Sequence, residues 1–484
     1  MHYEFIIIGS GLGGLQCAYT LAKQGHSVLV LEKELQVGGC LQTFRRAGAI
    51  FDTGFHYVGG LDKGQPLYRL FNYYDLMSLP WQKMDAEFDL IYIGDQHYAF
   101  TQGYDAFIDR MAQDFSAERD NLVQYVSLLR GVGEHTFDAL GERSTDSLYS
   151  QSLFARSAYK YLNETIHDPQ LRKVLSATSL KMQLDAGTLP LYIFAQINSS
   201  FIQSAYRLRG GGQMIADALT AKIRTMGGDV KLNSTVTELV ERNRLITEVI
   251  VNNDERITCD YVISNAHPNA TLSLIKESAS IRRVYVNRIN RLQNSYGAFT
   301  VNIKLKPQTM YYRNHNIYIH ADDVDMWHYQ PAQTSRQLMI SYSVPASNSI
   351  WAESIDLITP LAFSEVAEWS DSHLGHRPEA YKEFKMRKAE QLIQLATQYL
   401  PELPTAIDRI YTSTPLTYMH YTNTYEGSAY GIMKDYNSPM TTLLTPRTPI
   451  PNLFLTGQNL NLHGILGVSM TSALTIKQLN INNI

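Results

Sequence analysis

The sequence has few cysteines and no long apolar run. Its three cysteines are odd in number, widely spaced and without a metal-binding pattern, which is typical of a protein from a reducing compartment. No apolar stretch reaches the roughly 18 residues that a membrane-spanning helix needs. The first apolar strand begins by residue 3, which leaves no room for a signal peptide before it. We therefore expect a cytoplasmic protein, with peripheral attachment at the inner face of a membrane left open.

A strong charge of either sign is missing as well. The net charge of −4 gives no electrostatic case for nucleic acid binding, and the 14 scattered histidines do not form a metal site. The 484 residues, 44% of them hydrophobic, suit a globular protein of two domains. The 31 tyrosines are unusual, and their apolar bodies and polar tips fit a large amphipathic pocket or a membrane-facing surface.

The sequence does contain a dinucleotide-binding pattern at its N-terminus. An apolar run over residues 3–8 is typical of a strand buried in a parallel sheet, and it leads directly into the G-x-G-x-x-G of residues 9–14. Apolar residues then recur at helical spacing. A second apolar strand over residues 27–31 ends at Glu32. The glycines allow a tight turn, the approach of backbone to a pyrophosphate, and close packing of helix on strand.

Each part of this pattern has a physical task. The N-terminus of the helix presents free N–H groups and a partial positive charge to a diphosphate. The carboxylate of Glu32 can accept hydrogen bonds from a ribose diol, and it disfavours a 2′-phosphate. The pattern therefore predicts the ADP half of FAD or NAD rather than NADP. The predicted contacts are Gly9, Ser10, Gly11, Gly13, Gly14, Glu32 and Lys33.

The residues after the second strand resemble a large flavoprotein superfamily. Residues 37–44 and 51–59 are similar to the matching stretch in amine oxidases, phytoene desaturases and carotenoid isomerases, and they look most like retinol saturase and its bacterial relatives. Residues 451–458 and 464–468 resemble the segment that contacts the flavin in these proteins. The resemblance extends over nearly the whole chain and favours FAD over NAD. It implies FAD held without a covalent bond.

The resemblance also implies further cofactor contacts. Val236 would lie against the adenine. The N-terminus of a helix over residues 468–478 would face the N1 and C2 carbonyl edge of the flavin, where it stabilises the anion of the reduced form. Many members outside this branch carry an acid, which contacts the pyrophosphate or the ribityl chain, where Gln458 stands in this sequence. The implied contacts are Gly38, Gly39, Thr43, Val236, Gly457, Gln458, Gly464, Leu466, Gly467 and Val468.

The element order predicts an α/β fold. We expect a Rossmann-like FAD-binding domain, with a parallel sheet in three layers, interleaved with a mixed α+β substrate-binding domain. The FAD-binding domain is predicted to comprise residues 1–80, 206–290 and 405–484, and the substrate-binding domain residues 81–205 and 291–404.

Within the second domain, several elements can be predicted. We expect a hairpin over residues 88–100, helices over most of residues 104–205, and strands over residues 296–345 that form the floor of a substrate chamber. Residues 351–369 and 380–399 are predicted to be helices. The apolar residues 189–206 have three interpretations: a buried helix, a lining for a long hydrophobic substrate, or a rim that dips into lipid and attaches the protein to a membrane surface.

The resemblance implies a FAD-dependent oxidoreductase that acts on a carbon–carbon double bond of a long apolar polyene or isoprenoid. Its direction would be saturation, with a hydride from the flavin to one carbon and a proton to the next. Candidate proton donors are His56, Tyr57 and Tyr430, each of which could equally pack against the flavin. No second G-x-G-x-x-G is present, so the reductant would be an exchangeable molecule such as NAD(P)H, or a protein.

Three alternatives remain open at this point. The same flavin site would serve a polyene cis–trans isomerase or a desaturase. A non-catalytic escort of prenyl lipids belongs to a different class, and the intact glycines and Glu32 argue against it. The oligomeric state is not predicted.

Overall fold

The computed structural model describes residues 1–141, 147–331 and 335–479. The strands are β1 His2–Ile8, β2 Val28–Leu31, β3 Thr43–Arg46, β4 Ala49–Asp52, β5 Val58–Gly59, β6 Trp81–Lys83, β7 Glu87–Ile93, β8 Gln96–Thr101, β9 Ala205–Leu208, β10 Asp229–Lys231, β11 Val236–Arg242, β12 Leu245–Val251, β13 Glu255–Ser264, β14 Gly297–Leu305, β15 Asn316–His320, β16 Gln337–Tyr342, β17 Ser354–Leu361, β18 Ile407–Ser413 and β19 Leu453–Leu455. The helices are α1 Leu12–Lys23, α2 Pro66–Tyr73, α3 Tyr104–Asp114, α4 Arg119–Glu134, α5 Leu148–Phe154, α6 Ala158–Thr165, α7 Pro169–Ser176, α8 Leu191–Gln203, α9 Gln213–Thr225, α10 Pro268–Ser273, α11 Arg283–Asn290, α12 Glu379–Thr397, α13 Leu403–Ala406, α14 Pro415–Thr422, α15 Pro439–Thr442 and α16 Gly464–Gln478.

The first sheet has the strand order β10-β2-β1-β13-β12-β11, and β19 also pairs with β13. Strands β10, β2, β1, β13 and β19 are parallel, whereas β11, β12 and β13 form an antiparallel meander. Side chains alternate across the sheet: Phe5 and Ile7 pack with the helical layer of α1, α9 and α16, while Ile6 and Ile8 pack with the meander. This arrangement confirms the predicted Rossmann-like α/β fold.

The second sheet has the order β18-β14-β17-β16-β15-β7-β8. It is antiparallel except where β15 runs parallel to β7. One face packs on α12 through residues such as Ile303 and Leu357. The other face contributes Tyr318, Met339 and Ile358 to a core shared with α3, α4 and α8. The hairpin of β7 and β8 was correctly predicted, and so were β14, β15, β16 and α12.

The structure differs from the sequence prediction at β17 and β18. Residues 351–369 were predicted to be helical, but Ser354–Leu361 is a strand that is buried over its whole length. Polar and apolar side chains are mixed in residues 354–361 and all are buried, so their order follows neither the strand period nor the helix period. Pro360 was a signal against a helix interior. Strand β18 pairs with β14 in the second sheet, although residues 405–484 were grouped with the first domain. The remaining domain boundaries stay predictions.

Helix α8 is part of the core. Leu191, Ile193 and Phe194 are buried among the helices, while Ile197 and Phe201 are half-buried beside a large cavity. The prediction that residues 189–206 form a lipid-dipping rim is therefore wrong. The interpretations as a buried helix and as a cavity lining both describe α8.

Candidate active site

A continuous cavity of about 580 Å³ lies between the two sheets. It begins at the carboxyl ends of β1 and β2 and extends to the inner face of the second sheet. At the first end it is lined by glycines, Glu32, Lys33 and Val236. At the other end its walls are mostly apolar and aromatic: Leu180, Ile197, Phe201, Ala298, Tyr318, Met339, Ile358 and Tyr430.

The glycine turn has the geometry that a diphosphate needs. Gly9 has φ of +88°, and a Cβ on Gly14 would lie 2.1 Å from the Gly9 carbonyl oxygen, so neither position accepts an ordinary side chain. Helix α1 follows Gly11 and has no side chain that caps its N-terminus, which leaves N–H groups of its first turn available to a ligand. Gly9, Gly11 and Gly13 line the cavity.

The two ends of the chain meet beside this turn. A Cβ on Gly13 would lie 3.1 Å from the Cα of Gly457, and the side-chain amide of Asn265 occupies the space next to Gly11, Gly13 and Gly457. Asn265 therefore sets how closely the three glycines approach one another. Sequence reasoning did not single out Asn265.

Glu32 is 7% exposed and has protein partners as well as a face on the cavity. Its Oε2 accepts hydrogen bonds from the Ser10 backbone N–H at 2.9 Å and from the Ser10 hydroxyl at 2.5 Å. Its Oε1 accepts from the Glu34 N–H at 3.0 Å. Ser10 does not line the cavity, and its two hydrogen bonds hold the carboxylate of Glu32 in place. Gly14 likewise does not line the cavity, and it lets α1 pack closely on the turn.

The C-terminal segment lies at the middle of the cavity. Helix α16 begins at Gly464, four residues before the predicted start, so Gly464, Leu466, Gly467 and Val468 lie in its first turns and line the cavity. No side chain caps this N-terminus. Gly38, Gly39, Gly457 and Gln458 line the same region.

Thr43 is the one predicted contact that lies apart from the cavity and from its supporting turns. Its carbonyl oxygen accepts a hydrogen bond from the Gln36 side chain at 3.0 Å. Its Cγ2 lies 2.7 Å from where a Cβ of Gly211 would be. Thr43 therefore helps to join β3 to the glycine run before α9, and the structure gives it no place on the cavity wall.

The three candidate proton donors all line the cavity, in different environments. The Tyr430 hydroxyl donates to the Leu180 carbonyl oxygen at 2.6 Å. The Tyr57 hydroxyl donates to Asp89 Oδ2 at 2.9 Å. Burial lowers the pKa of His56 to about 4, so its imidazole is neutral at pH 7, and burial holds the pKa of both tyrosines well above their ordinary value.

Sequence reasoning missed a buried ion pair at the apolar end. Lys181 Nζ lies 2.8 Å from Asp89 Oδ2, and the two side chains are 4% and 0% exposed. Asn316 donates to Asp89 Oδ1 at 2.8 Å, and the hydroxyls of Tyr57 and Tyr318 are 2.8 Å apart. A signal was present in the sequence, because Asp89 interrupts an apolar strand, where an unpaired charge would be costly.

A small polar pocket lies behind His56 and is lined by Asp52, Arg207, Tyr342 and Asp356. Asp356 Oδ2 is 3.9 Å from His56 Nδ1, and Asp356 Oδ1 accepts from Asn302 at 2.6 Å. Burial raises the pKa of Asp356 to about 7 and that of Asp52 to about 8. These carboxyls hold protons at pH values where exposed carboxyls have lost them.

Within residues 1–141, 147–331 and 335–479, no cluster of three or more His, Cys, Asp or Glu side chains is arranged to hold a metal ion. None of the helices in these ranges combines the length and apolarity needed to cross a membrane.

Comparison with known protein families decides the class of this site. Residues 12–474 match the family of flavin containing amine oxidoreductases. The chain belongs to this family. It is a flavin-dependent oxidoreductase, as predicted.

The residues of the cavity fit FAD. Two uncapped helix N-termini face the cavity, and the close approach of Gly13 to Gly457 leaves no room for side chains there. Glu32 lies where a ribose is expected.

Within this flavin family, the chain has relatives of the kind that the sequence resembles. It is 26% identical to all-trans-retinol 13,14-reductase of Danio rerio over 99% of this chain and 86% of the relative. It is 25% identical to that of Homo sapiens over 96% and 83%. It is also 24% identical to a 4,4'-diapophytoene desaturase (4,4'-diaponeurosporene-forming) of Staphylococcus aureus over 66% of each chain.

Solved structures support the family's fold. An oxidoreductase from Methanosarcina mazei has a TM-score of 0.65 at 16% identity, over 99% of both chains. A putrescine oxidase bound to putrescine has the same TM-score and identity, again over 99% of both chains.

Proposed function

We propose that this protein is a FAD-dependent reductase that saturates a carbon–carbon double bond of a long apolar polyene or isoprenoid. The observation that carries the proposal is the single cavity that joins a dinucleotide-binding end to an apolar chamber. Similarity to all-trans-retinol 13,14-reductases over nearly the whole chain supports this substrate class and direction.

The residues at the nucleotide end bind and orient the cofactor. The N–H groups at the start of α1 and the close-packed glycines bind the diphosphate, Glu32 accepts from the ribose, and Val236 lies at the adenine end. The first turn of α16 would hold the N1 and C2 carbonyl edge of the flavin, and its partial positive charge would stabilise the anion of the reduced form. When bound, FAD supplies the hydride.

The chamber orients the alkene and excludes water. Its walls are formed by α8 through Ile197 and Phe201, and by the second sheet through Met339 and Ile358. An apolar chain gains free energy by leaving water for such walls, at about 25 cal/mol per Å² of apolar surface. A dry chamber also protects the hydride donor from competing reactions.

The proposal includes an exchangeable reductant. The glycine turn at residues 9–14 is the one dinucleotide motif in the sequence, and it serves FAD. Electrons therefore arrive from a molecule that visits the site, and NAD(P)H is the reductant to test first.

The proposal also includes contact with a membrane surface, since polyenes partition into lipid. On α11 and α15, Val284 is 79% exposed and Met440 is 87% exposed. Arg288, one turn after Val284, donates to the Met440 carbonyl oxygen at 3.0 Å, which joins the two elements. Arg282, Arg283 and Arg291 are exposed beside them. Apolar side chains among arginines fit the surface of an anionic membrane.

The test is single-turnover reaction of the anaerobically reduced enzyme with a panel of polyenes. We expect stoichiometric reoxidation of the flavin and a product heavier by two hydrogen atoms. A product of unchanged mass and altered retention would identify an isomerase instead. Oxidised enzyme that removes two hydrogen atoms would identify a desaturase, and a panel without any reaction would contradict the substrate class.

A further inference from the structure

The buried pair of Lys181 and Asp89 lies at the wall of the chamber. Burying two charges costs more free energy than their attraction returns unless further hydrogen bonds satisfy them. Asp89 meets this condition. Its Oδ2 accepts from Lys181 and Tyr57, and its Oδ1 accepts from Asn316. The carboxylate is therefore fully engaged, and it cannot itself serve the cavity.

Lys181 is held differently. The bond to Asp89 is the one hydrogen bond of its ammonium group within the described part of the chain, which leaves two of three N–H protons without an acceptor there. Aromatic rings surround the group, with the Phe201 centroid at 4.4 Å and the Tyr57 centroid at 5.3 Å. Lys181, Phe201 and Tyr57 all line the chamber. Lys181 therefore belongs to the wall where an apolar substrate is expected.

The main chain fixes Lys181 next to the flavin-facing helix. His463, the residue immediately before α16, has its Nε2 3.1 Å from the Lys181 carbonyl oxygen. Tyr430 donates to the preceding carbonyl oxygen, that of Leu180. Two segments from the C-terminal part of the chain therefore hold residues 180–181 in place. This explains the position of Tyr430 without assigning it a proton transfer.

We propose that Lys181 is the acid that gives the proton to the second carbon of the alkene, with Asp89, Tyr57 and Tyr318 as positioning residues. This assignment rests on the proposed reductase function. It differs from the expectation from sequence, in which the donor was His56, Tyr57 or Tyr430.

The hydrogen-bond directions agree with this assignment. Because Tyr57 donates its proton to Asp89, it must accept from Tyr318, and both phenolic protons are then engaged. Burial lowers the pKa of Lys181, and Asp89 opposes that effect. Among the described groups that line this part of the chamber, Lys181 carries N–H protons that no oxygen other than that of Asp89 accepts, whereas the phenolic protons of Tyr57 and Tyr318 are both engaged.

The alkene π bond breaks, one carbon receives the hydride of the reduced cofactor, and the neighbouring carbon forms a C–H bond with a proton from Lys181 Nζ. The N–H electron pair stays on nitrogen, which leaves a neutral amine. After the product leaves, the amine takes a proton from water that enters the chamber. The external reductant restores the two electrons.

The experiment compares Lys181→Arg and Asp89→Asn with the wild type in single-turnover reoxidation across a pH series. Arginine keeps the positive charge beside Asp89 but does not give up a proton. We expect Lys181→Arg to bind FAD and polyene normally and to react roughly 10²–10⁴-fold more slowly. Surface Lys173, whose Nζ bonds to the Asp322 carbonyl oxygen, gives the matched control Lys173→Arg, with an unchanged rate.

The pH dependence of the rate separates proton transfer by Lys181 from a purely structural role, because a structural role would not shift it. The acid form reacts, so the wild-type rate should be constant at low pH and fall as pH rises through the pKa of Lys181. The titratable groups that face Lys181 are Asp89 on β7, Tyr318 on β15, and Tyr57 before β5, with His463 at its carbonyl. Asp89→Asn removes the attraction that favours the ammonium form of Lys181, so the fall in rate should move to lower pH.

Reductive methylation gives a second measurement that does not depend on turnover. The extent of methylation of Lys181 across the pH series, read by peptide mass in the oxidised protein, should give the same pKa as the pH dependence of the rate.

The results distinguish failure of the Lys181 assignment from failure of the reductase function. A Lys181→Arg enzyme as fast as the wild type, or an Asp89→Asn enzyme with an unmoved pH profile, overturns the assignment while the reductase function stands. If Lys181→Arg does not fold, the Asp89→Asn profile and the methylation pKa still decide. A wild-type enzyme that no polyene reoxidises overturns the reductase function and this assignment with it.

Discussion

Glu32 has hydrogen-bond partners in the protein and a face on the cavity that we propose binds FAD. Its carboxylate holds Ser10 and Glu34 in the turn and also faces the cavity. We expect Glu32→Ala to lower FAD affinity about tenfold to a hundredfold, since a hydrogen bond to a charged group contributes about 1.5–3 kcal/mol. Titration of the apoprotein, followed by flavin fluorescence, measures this.

Ser10→Ala is the matched control for Glu32. It removes the hydroxyl donor to Glu32 and keeps the backbone donor, so its effect on FAD affinity should be smaller. Equal affinity of Glu32→Ala and the wild type would show that the ribose lies elsewhere.

Asp356 makes the stability of the protein depend on pH. Its folded-state pKa is about 7, above that of an exposed aspartate, so the unfolded chain releases this proton first as pH rises. As pH rises to about 7, the free energy of unfolding of the wild type should therefore fall relative to that of Asp356→Asn, by at most about 1.4 kcal/mol per pH unit. Above about pH 7 the difference between the two proteins should stay constant. Urea unfolding across the range measures it.

An exposed aspartate gives the control for that series. Asp254→Asn, in the turn between β12 and β13, should leave the pH dependence of the free energy of unfolding as in the wild type. A constant difference between Asp356→Asn and the wild type at every pH would contradict the buried-carboxyl explanation.

At the scale of elements, α8 has a core face and a chamber face. Phe194 is 1% exposed and lies 5.7 Å from the Trp327 ring, centroid to centroid, so Phe194→Ala should lower the free energy of unfolding by about 3–5 kcal/mol. Phe201 lines the chamber, and Phe201→Ala should cost less stability and weaken polyene binding. Denaturant unfolding and substrate titration separate the two effects. Equal losses of stability would contradict this division of α8.

The surface of α11 and α15 is the element that we expect to contact lipid. Val284→Ser combined with Met440→Ser should reduce co-sedimentation with anionic vesicles, and FAD binding should be unchanged, because both side chains are exposed. Met386 on α12 is 61% exposed, and Met386→Ser is the matched control. Undiminished co-sedimentation of the double variant would remove this surface from the proposal.

At the scale of the whole molecule, one cavity brings together a segment near each end of the described chain. The turn of residues 9–14 and the segment from Gly457 to Val468 lie on one cavity. The purified protein should be yellow and should release FAD on denaturation, and bound FAD should raise its melting temperature. A colourless protein that FAD does not reconstitute would favour a non-catalytic lipid escort.

The sequence by itself determined the nucleotide end of this protein. Strand β1, the glycine turn, α1 and Glu32 lie within one short segment, and their conformations follow from local rules: side-chain periodicity, positive φ at Gly9, and no room for a Cβ at Gly14. Whether an element is a helix or a strand could be predicted for most other elements for the same reason.

Only the tertiary structure determined which residues form the apolar end of the cavity. Lys181 and Asp89 are 92 residues apart in sequence, and nothing local to either one predicts the other. Strand β17 has no exposed face to reveal its period, and Ser10 and Thr43 could not be assigned to supporting positions without knowing which groups face the cavity. The partner of a buried charge, the conformation of a buried strand and the residues of a cavity wall depend on contacts between distant parts of the sequence. Turns and helix starts depend on a few consecutive residues, so they can be predicted locally.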